Sequence, residues 1–253
     1  MSKWNFPNCL GALDGKYIAI KAPKHNGSMF FKYKGFFSIV LLALVDADYK
    51  FTFADVGSNG GISNGGVLQE SCFQAALNNN SLGIPPANCL PERNTPVPYV
   101  IVADEAFPLK ENLIKPFPAK SLDDASRVFN YRLSQAHRVI ENAFGIVVHR
   151  LQIFQSTIPL EPKKVEWIDV LACIALHNYL RTKSVEYSQA VADSETAAHE
   201  LLPTEWRHNP NAQLLSVCLQ GSNRSSIQAR EIREEFLDYF ITNGQADWQW
   251  DMS

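Results

Sequence analysis

Three acidic residues stand out because each lies in a segment whose pattern predicts burial. Asp14 lies in the apolar run GALDGKYIAI, and Asp104 follows the run PYVIVA. Glu141 lies in AHRVIENAFG, which has helical spacing. An ionised carboxylate is costly to bury alone, so it normally has a partner or a metal. Three carboxylates gathered from distant segments would bind hard cations such as Mg²⁺ and equip the chain for metal-assisted cleavage of phosphodiesters.

Each of these acids also has a simpler explanation. Asp14 precedes a glycine, and Asp-Gly is a common turn pair. Asp104 could cap a helix. Glu141 follows His137 and Arg138 at helical spacing and could form a surface salt bridge. Taken singly, the three residues leave both the metal site and these local roles open.

The composition bounds the class of protein. The chain has 253 residues, of which 46% are hydrophobic and 19% charged, so it can bury the core of one large domain. It has no apolar run of the roughly 18 residues that a membrane span needs, and no signal-peptide pattern at its start. Its five cysteines are widely spaced and form no CxxC pair, which favours reduced thiols. We therefore expect a nuclear or cytoplasmic location.

The charge distribution bears on nucleic-acid binding. The net charge of −3 argues against a dedicated DNA-binding domain, which is usually basic. However, Lys32 and Lys34 are interleaved with aromatic residues, a pattern that can stack on and neutralise nucleic acid, although such aromatics are more often core. Arg138 and Arg150 are further candidates for phosphate contacts, with solvated helix charges as the alternative.

The hydrophobic pattern predicts where these residues sit. Three strands in an antiparallel meander come first, and a short buried strand follows at residues 100–103. The predicted strands of the meander cover 11–21, 36–45 and 51–56, and the predicted helices cover 67–77, 121–148, 165–181 and 230–240. Ligands bind at strand ends in sheets flanked by helices, so Asp14 and Asp104 can meet there. Helix packing must then bring Glu141 to them.

Several long blocks of the sequence follow one another in a specific order. They are FPNCLGALDGKYIAIKAP, YKGFFSIVLLALVDADYKF, ADEAFPL and FNYRLSQAHRVIENAFGIVVHR, with LHNYL after them. These blocks resemble the nuclease domain of Harbinger-type transposases and of host proteins derived from them, a branch of the DDE superfamily. The resemblance runs from about Trp4 to Tyr179. It implies an α/β, RNase H-like fold with a mixed central sheet, three antiparallel strands plus parallel strands, flanked by helices.

The resemblance also implies a function. The acidic triad of the family falls on Asp14, Asp104 and Glu141, which would bind two divalent cations, Mg²⁺ or Mn²⁺, and cleave DNA phosphodiesters. DNA is the implied partner, together with a DNA-binding protein that supplies sequence recognition, and a homo-oligomer is compatible with the pattern. In the family, a helix-turn-helix region normally precedes the first strand. This sequence begins ten residues before Gly11, where its predicted first strand starts.

Three positions depart from the family pattern. Many members have a further aspartate where this chain has Asn64, which offers a metal an oxygen without a charge and so a weak fourth ligand. Ala103 replaces a glycine that is usual before the second acid, and His137 replaces an arginine. Two alternatives to DNA cleavage stay open. One is a domesticated domain that no longer cuts and serves as a DNA- or protein-binding scaffold, and the other is a hydrolase of small phosphate esters.

The sequence also predicts how the chain is divided. Residues 1–182 form the predicted nuclease domain of RNase H-like type. Residues 183–223 are polar with little periodicity, which predicts a partly mobile linker. Residues 224–253 form a predicted amphipathic helix and tail.

Overall fold

The computed structural model describes residues 5–24, 30–31, 35–59, 64–184, 186–187, 192–196, 201–202, 204–208, 214–217 and 225–250. These residues form a mixed α/β structure, in which helices cover a sheet of parallel and antiparallel strands. Within these ranges no helix is long and apolar enough to cross a membrane.

The central sheet contains the predicted meander and the predicted buried strand. The strands of the whole described structure, some of which lie outside this sheet, are numbered in chain order. They are β1 (Cys9–Ala19), β2 (Ser38–Val45), β3 (Phe51–Asn59), β4 (Asn88–Cys89), β5 (Pro96–Val97), β6 (Val100–Ala103), β7 (Leu113–Ile114), β8 (Ser194–Glu195), β9 (Leu201–Leu202) and β10 (Leu215–Ser216). The sheet order is β3-β2-β1-β6-β7, and β10 also pairs with β1. β1, β2 and β3 are antiparallel, whereas β6 and β7 run parallel to β1. The predicted mixed sheet is therefore confirmed.

The helices lie close to their predicted positions. They are α1 (Asn64–Glu70), α2 (Cys72–Asn78), α3 (Asp124–Arg150), α4 (Leu171–Lys183), α5 (Glu205–His208) and α6 (Ile227–Ile241). A helical turn at Pro162–Lys164 and a π-helix at Val165–Val170 lead into α4. The single helix expected over 67–77 is wrong, because Ser71 separates α1 from α2. Its hydroxyl accepts a hydrogen bond from the Gln74 amide (3.2 Å) and so starts a new helix.

The two faces of the sheet belong to two separate hydrophobic clusters. On β1, Ala12 and Ile18 belong to the larger cluster, whereas Leu13 and Tyr17 belong to the smaller one. This assignment follows from the alternation of side chains along a strand. The larger cluster contains the buried face of α3, including Ile140 and much of the helix on either side of it. From Ala12 to Ile18, the even-numbered residues of β1 therefore face α3.

Helix α4 is fixed to the edge of the sheet by side-chain hydrogen bonds. The amide of Asn178 accepts from the Phe51 N–H (2.9 Å) and donates to the Phe51 carbonyl (2.8 Å), in the manner of a neighbouring strand. His177 Nε2 lies 2.7 Å from the Tyr49 carbonyl, and its Nδ1 lies 3.1 Å from the Tyr187 hydroxyl. Burial lowers the pKa of His177, so it is a neutral donor to Tyr49. Both side chains therefore fasten α4 to β3 and the turn before it.

The segment 183–223 contributes to the fold where it is described. β10 pairs with β1 through Lys16 with Ser216 and Tyr17 with Leu215. Within α5, Trp206 is buried at 7% exposure in the larger cluster. These described parts of the predicted linker are therefore packed against the sheet and α3.

Candidate active site at a fork in the central sheet

One edge of β1 has two different partners along its length. β6 pairs with β1 as far as Leu13, opposite Ala103, and then ends. Further along the same edge of β1, β10 pairs with Lys16 and Tyr17. Asp14 and Gly15 lie between the two partners, at a position that we call the fork. Ligand sites form where neighbouring chain segments diverge beyond the ends of strands, so the fork is a natural place for one.

Asp14 is buried at the fork with a cation beside it. Its residue exposure is 1%. One carboxylate oxygen accepts from the Gly15 amide at 2.7 Å, and the other lies 2.8 Å from Lys16 Nζ. Lys16 Nζ also donates to the Ser216 hydroxyl at 2.8 Å. Asp14 and Lys16 are two residues apart and so face α3 together. The ion pair offsets the cost of burying this carboxylate.

Asp104 follows β6 directly and lies near Asp14. Its Oδ1 accepts a hydrogen bond from the Ala106 amide at 2.9 Å. Burial, and then the negative charge of Asp14, raise the pKa of Asp104 from 3.8 to about 6. His137 and Lys16 act in the opposite direction but less strongly. The sequence prediction that these two aspartates meet is consistent with this electrostatic contact, because charges influence each other strongly only at short range.

Glu141 extends from α3 but is held by an arginine. Its Oε2 lies 3.0 Å from Arg207 Nη2, and its Oε1 lies 3.9 Å from His137 Nδ1. Arg207 Nε in turn lies 2.6 Å from the carboxylate of Asp193, whose side chain has no exposure. Asp193 also accepts from Thr204. One guanidinium therefore bridges two carboxylates and determines where Glu141 points.

A cavity of about 170 Å³ lies between the fork and this arginine. Its lining contains two positively charged side chains, Lys16 and Arg207, and two aromatic ones, Phe144 and Trp206. The other lining residues are Glu141, Gly145, Leu214 and Ser216. Lys16 and Glu141 thus face the same space. A Cβ on Gly145 would collide with the indole of Trp206, so the close approach of α5 to α3 requires a glycine there.

These side chains fit a divalent cation in part. Within the described ranges, no three His, Cys, Asp or Glu side chains converge closely enough to hold a metal. Asp14 and Asp104 supply two carboxylates on one face, and their mutual repulsion is the kind that a cation relieves. His137 Nε2 beside them is buried without a hydrogen-bond partner, which costs free energy unless a ligand satisfies it. Arg207 competes with a cation for Glu141 Oε2.

The other predicted residues have various positions. Lys32 and Lys34 lie outside the described residues. Asn64 is the first residue of α1, and its side chain is likewise outside the described part. Arg138 is half-buried on α3, and exposed Arg150 donates from Nε to the Tyr187 carbonyl at 3.2 Å. The alternative that Glu141 pairs with its helix neighbours is largely replaced by the bond to Arg207.

Sequence reasoning missed several residues of this site. Lys16 carried a usable signal, because it follows Asp14 by two residues in a strand and must share its face. Arg207 and Asp193 lie in a polar segment without periodicity, which indicated only a linker. The contact of Arg207 with Glu141 depends on a return of the chain over 66 residues, and no local pattern encodes it. His137, which the sequence marked as a departure from the family pattern, is buried at 8% exposure.

Two curated relatives cover most of this chain. It is 25% identical over 235 residues to "Protein ALP1-like" of Arabidopsis thaliana, which is 90% of this chain and 54% of that protein. It is 25% identical over 238 residues to "Putative nuclease HARBI1" of Bos taurus, covering 91% of this chain and 58% of that protein. The protein of that name from Homo sapiens is 25% identical over 179 residues, covering 68% and 46%. The chain thus spans about half the length of these relatives. No solved structure matches it.

The family is shown by a match that covers most of the chain. Residues 13–178 match the family described as DDE superfamily endonuclease. The match begins next to Asp14 and ends at Asn178, so it contains all three acids and the part of α4 that carries His177 and Asn178. Together with the similarity to the nuclease-named relatives, it confirms the resemblance to Harbinger-derived proteins. This chain belongs to the DDE superfamily endonucleases.

Proposed function

We propose that the chain is a transposase-derived endonuclease domain that hydrolyses DNA phosphodiester bonds with divalent cations, Mg²⁺ or Mn²⁺. The observation that carries this proposal is the pairing of Asp14 and Asp104 at the fork. Two carboxylates share one face of the sheet there, and Asp104 has a pKa raised to about 6. A cation removes the repulsion between them, which makes the pair a metal site rather than a stabilising contact.

The proposed fold is RNase H-like. The sheet order β3-β2-β1-β6-β7, with three antiparallel strands followed by parallel ones, supports this assignment. In it, the central strand β1 carries Asp14, its parallel neighbour leads to Asp104, and the long helix crossing the sheet carries Glu141. These placements support the assignment of the three acids as the catalytic residues, which the resemblance implies.

In this proposal Asp14, Asp104 and Glu141 would hold the cations, with Asn64 as a weak fourth ligand. Bound cations would lower the pKa of the attacking water and stabilise the leaving oxygen. Lys16 balances the charge of Asp14 in their absence. His137 Nε2 remains as a buried donor or acceptor at the site. Arg207 competes with a cation for Glu141 Oε2, and if it leaves that oxygen it can keep its bond to Asp193 while the N–H group that held Glu141 turns to a phosphate oxygen.

A second candidate function is a scaffold that retains the fold without cutting. The ion pair between Arg207 and Glu141 favours it, because an arginine occupies the carboxylate that a metal would need. The neutral Asn64 also favours it. In either case we propose DNA as the partner, in the nucleus or cytoplasm, with sequence recognition supplied by a DNA-binding protein.

Nicking of supercoiled plasmid in Mg²⁺ or Mn²⁺ tests the proposal. We expect the purified chain to nick DNA only with one of these cations, and Asp104→Asn and Glu141→Gln to abolish nicking. Glu111→Gln, an exposed carboxylate outside the site, is the matched control and should leave nicking unchanged. Nicking that survives in Asp104→Asn would contradict the metal site. If neither the wild type nor the Asn64→Asp variant nicks DNA, the scaffold function is favoured.

A further inference from the structure

A groove beyond the end of β1 brings three lysines together. The cavity there measures about 270 Å³, with room for roughly nine water molecules. Lys21, Lys24 and Lys164 line it, together with the carboxylate of Glu161. All three lysines are exposed. We call this cavity the lysine groove.

The backbone that carries these lysines is fixed on both sides. Lys21 N–H donates to the Ile158 carbonyl at 2.9 Å, and Ile158 N–H donates to the Ala19 carbonyl at 3.0 Å. These bonds add the segment of Ile158 to the end of β1 as a short parallel bridge. Pro23 and Pro159 line the same groove and restrict its backbone further. The lysines therefore converge because of the fold.

The groove carries an unbalanced positive charge. None of the three lysines forms an ion pair with a carboxylate within the part of the chain that the structure describes. Three positive charges face one carboxylate, in a chain whose net charge is −3. Like charges held together repel, and an anion placed between them relieves that repulsion. The groove is thus a local exception to the acidic character of the molecule.

We propose that the lysine groove binds the phosphate backbone of a DNA duplex outside the catalytic acids, an inference that rests on the proposed function. The extended chain from Asp14 to Lys21 spans seven residues, or about 23 Å at the rise of a strand. That length is the axial rise of about seven base pairs, which is less than one helical turn of a duplex. One duplex can therefore place a phosphodiester at the fork and a backbone phosphate at the groove.

The chemistry of the groove fits backbone contacts rather than base reading. Lysine is a hydrated point charge on a flexible stem, which suits contact with phosphates in any sequence. The groove also lies in the direction in which β1 leaves the fork, so it fixes the orientation of the duplex relative to Asp14. Its role is to position the substrate, and the acids keep the chemistry.

Fluorescence anisotropy of a labelled 30-base-pair duplex in EDTA tests the groove without cleavage. The variant carries Lys21→Gln, Lys24→Gln and Lys164→Gln. Each phosphate contact contributes about −0.9 to the slope of log K against log salt, so the slope should become shallower by up to about 2.7. The affinity should fall on the order of tenfold per lost contact at 0.1 M salt. Glu161→Gln should change affinity in the opposite direction.

A control variant with Lys50→Gln, Lys120→Gln and Lys183→Gln removes the same charge elsewhere. If it weakens binding as much as the groove variant, or if the groove variant keeps the wild-type slope, the proposal is wrong. Displacement of DNA by inorganic phosphate beyond that by chloride at equal ionic strength would assign the groove to free phosphate instead. If the groove variant binds DNA more weakly but the wild type does not nick DNA, the groove proposal stands and the nuclease proposal is wrong. If the wild type nicks DNA but the groove variant keeps the wild-type salt slope, the nuclease proposal stands and the groove proposal is wrong.

Discussion

Replacing Asp104 by asparagine should stabilise the metal-free protein at neutral pH. The pKa of Asp104 is raised from 3.8 to about 6, first by burial and then by Asp14. Since one pKa unit corresponds to about 1.4 kcal/mol, its ionisation at pH 7 costs the folded state about 3 kcal/mol. Asparagine keeps the oxygen that accepts from the Ala106 amide and removes the charge. We expect Asp104→Asn to gain up to about 3 kcal/mol at pH 7.

The sign of the pH dependence follows from the direction of this pKa change. The folded protein binds the proton of Asp104 more tightly than the unfolded chain does, so protonation favours folding. The contribution is fully present below the unfolded pKa near 4 and is lost as the pH rises through about 6. The advantage of Asp104→Asn over wild type should therefore shrink from pH 7 to pH 4.

Urea unfolding at pH 7 and pH 4 in EDTA measures this difference directly. The midpoint of Asp104→Asn should exceed that of wild type at pH 7 and approach it at pH 4, with the same dependence on urea. Glu111→Gln, the exposed control, should stay within about 0.5 kcal/mol of wild type at both values. If Asp104→Asn is less stable than wild type at pH 7, the two aspartates do not repel each other in a buried setting, and the reasoning is refuted.

Four further substitutions, one of them made only in combination, test other parts of the structure. Arg207→Ala should destabilise the fold by about 3–5 kcal/mol because it leaves buried Asp193 unpaired, and Asp193→Asn added to it should recover part of that loss in urea unfolding. The same Arg207→Ala change should tighten Mn²⁺ binding in calorimetry, since Glu141 is released; unchanged affinity would count against the competition. Gly145→Ala should cost about 1–3 kcal/mol and shift tryptophan fluorescence, because its methyl collides with Trp206, and an unshifted spectrum would contradict the contact. Asn64→Asp should strengthen Mn²⁺ binding, and an equal or weaker affinity would remove Asn64 from the ligand set.

The sequence predicted the parts of the site that depend on regular strands. The alternation of β1 places Asp14 on the face that packs against α3, and the apolar run of β6 leads directly to Asp104. Hydrophobic periodicity encodes both placements. The predicted convergence of the two aspartates therefore came from local pattern combined with sheet geometry.

The parts that could not be predicted depend on contacts distant in sequence. The attachment of β10 to β1 involves two residues in a polar segment, where no hydrophobic repeat marks a strand. The ion pair between Arg207 and Glu141 likewise depends on one charged side chain in that polar segment. The break at Ser71 was missed for a different reason, because a serine can lie inside a helix or cap the start of a new one, and the apolar pattern does not distinguish the two. The first two features are determined by tertiary packing, whereas the break at Ser71 is a local cap.

The central claim is that Asp14 and Asp104 bind one divalent cation at the fork. The most direct test is anomalous diffraction at the manganese edge from crystals grown with Mn²⁺. The account predicts an anomalous peak at coordination distance, about 2.1 Å, from a carboxylate oxygen of each aspartate. A saturated crystal with no peak at the fork, or with Mn²⁺ bound only elsewhere, would contradict it.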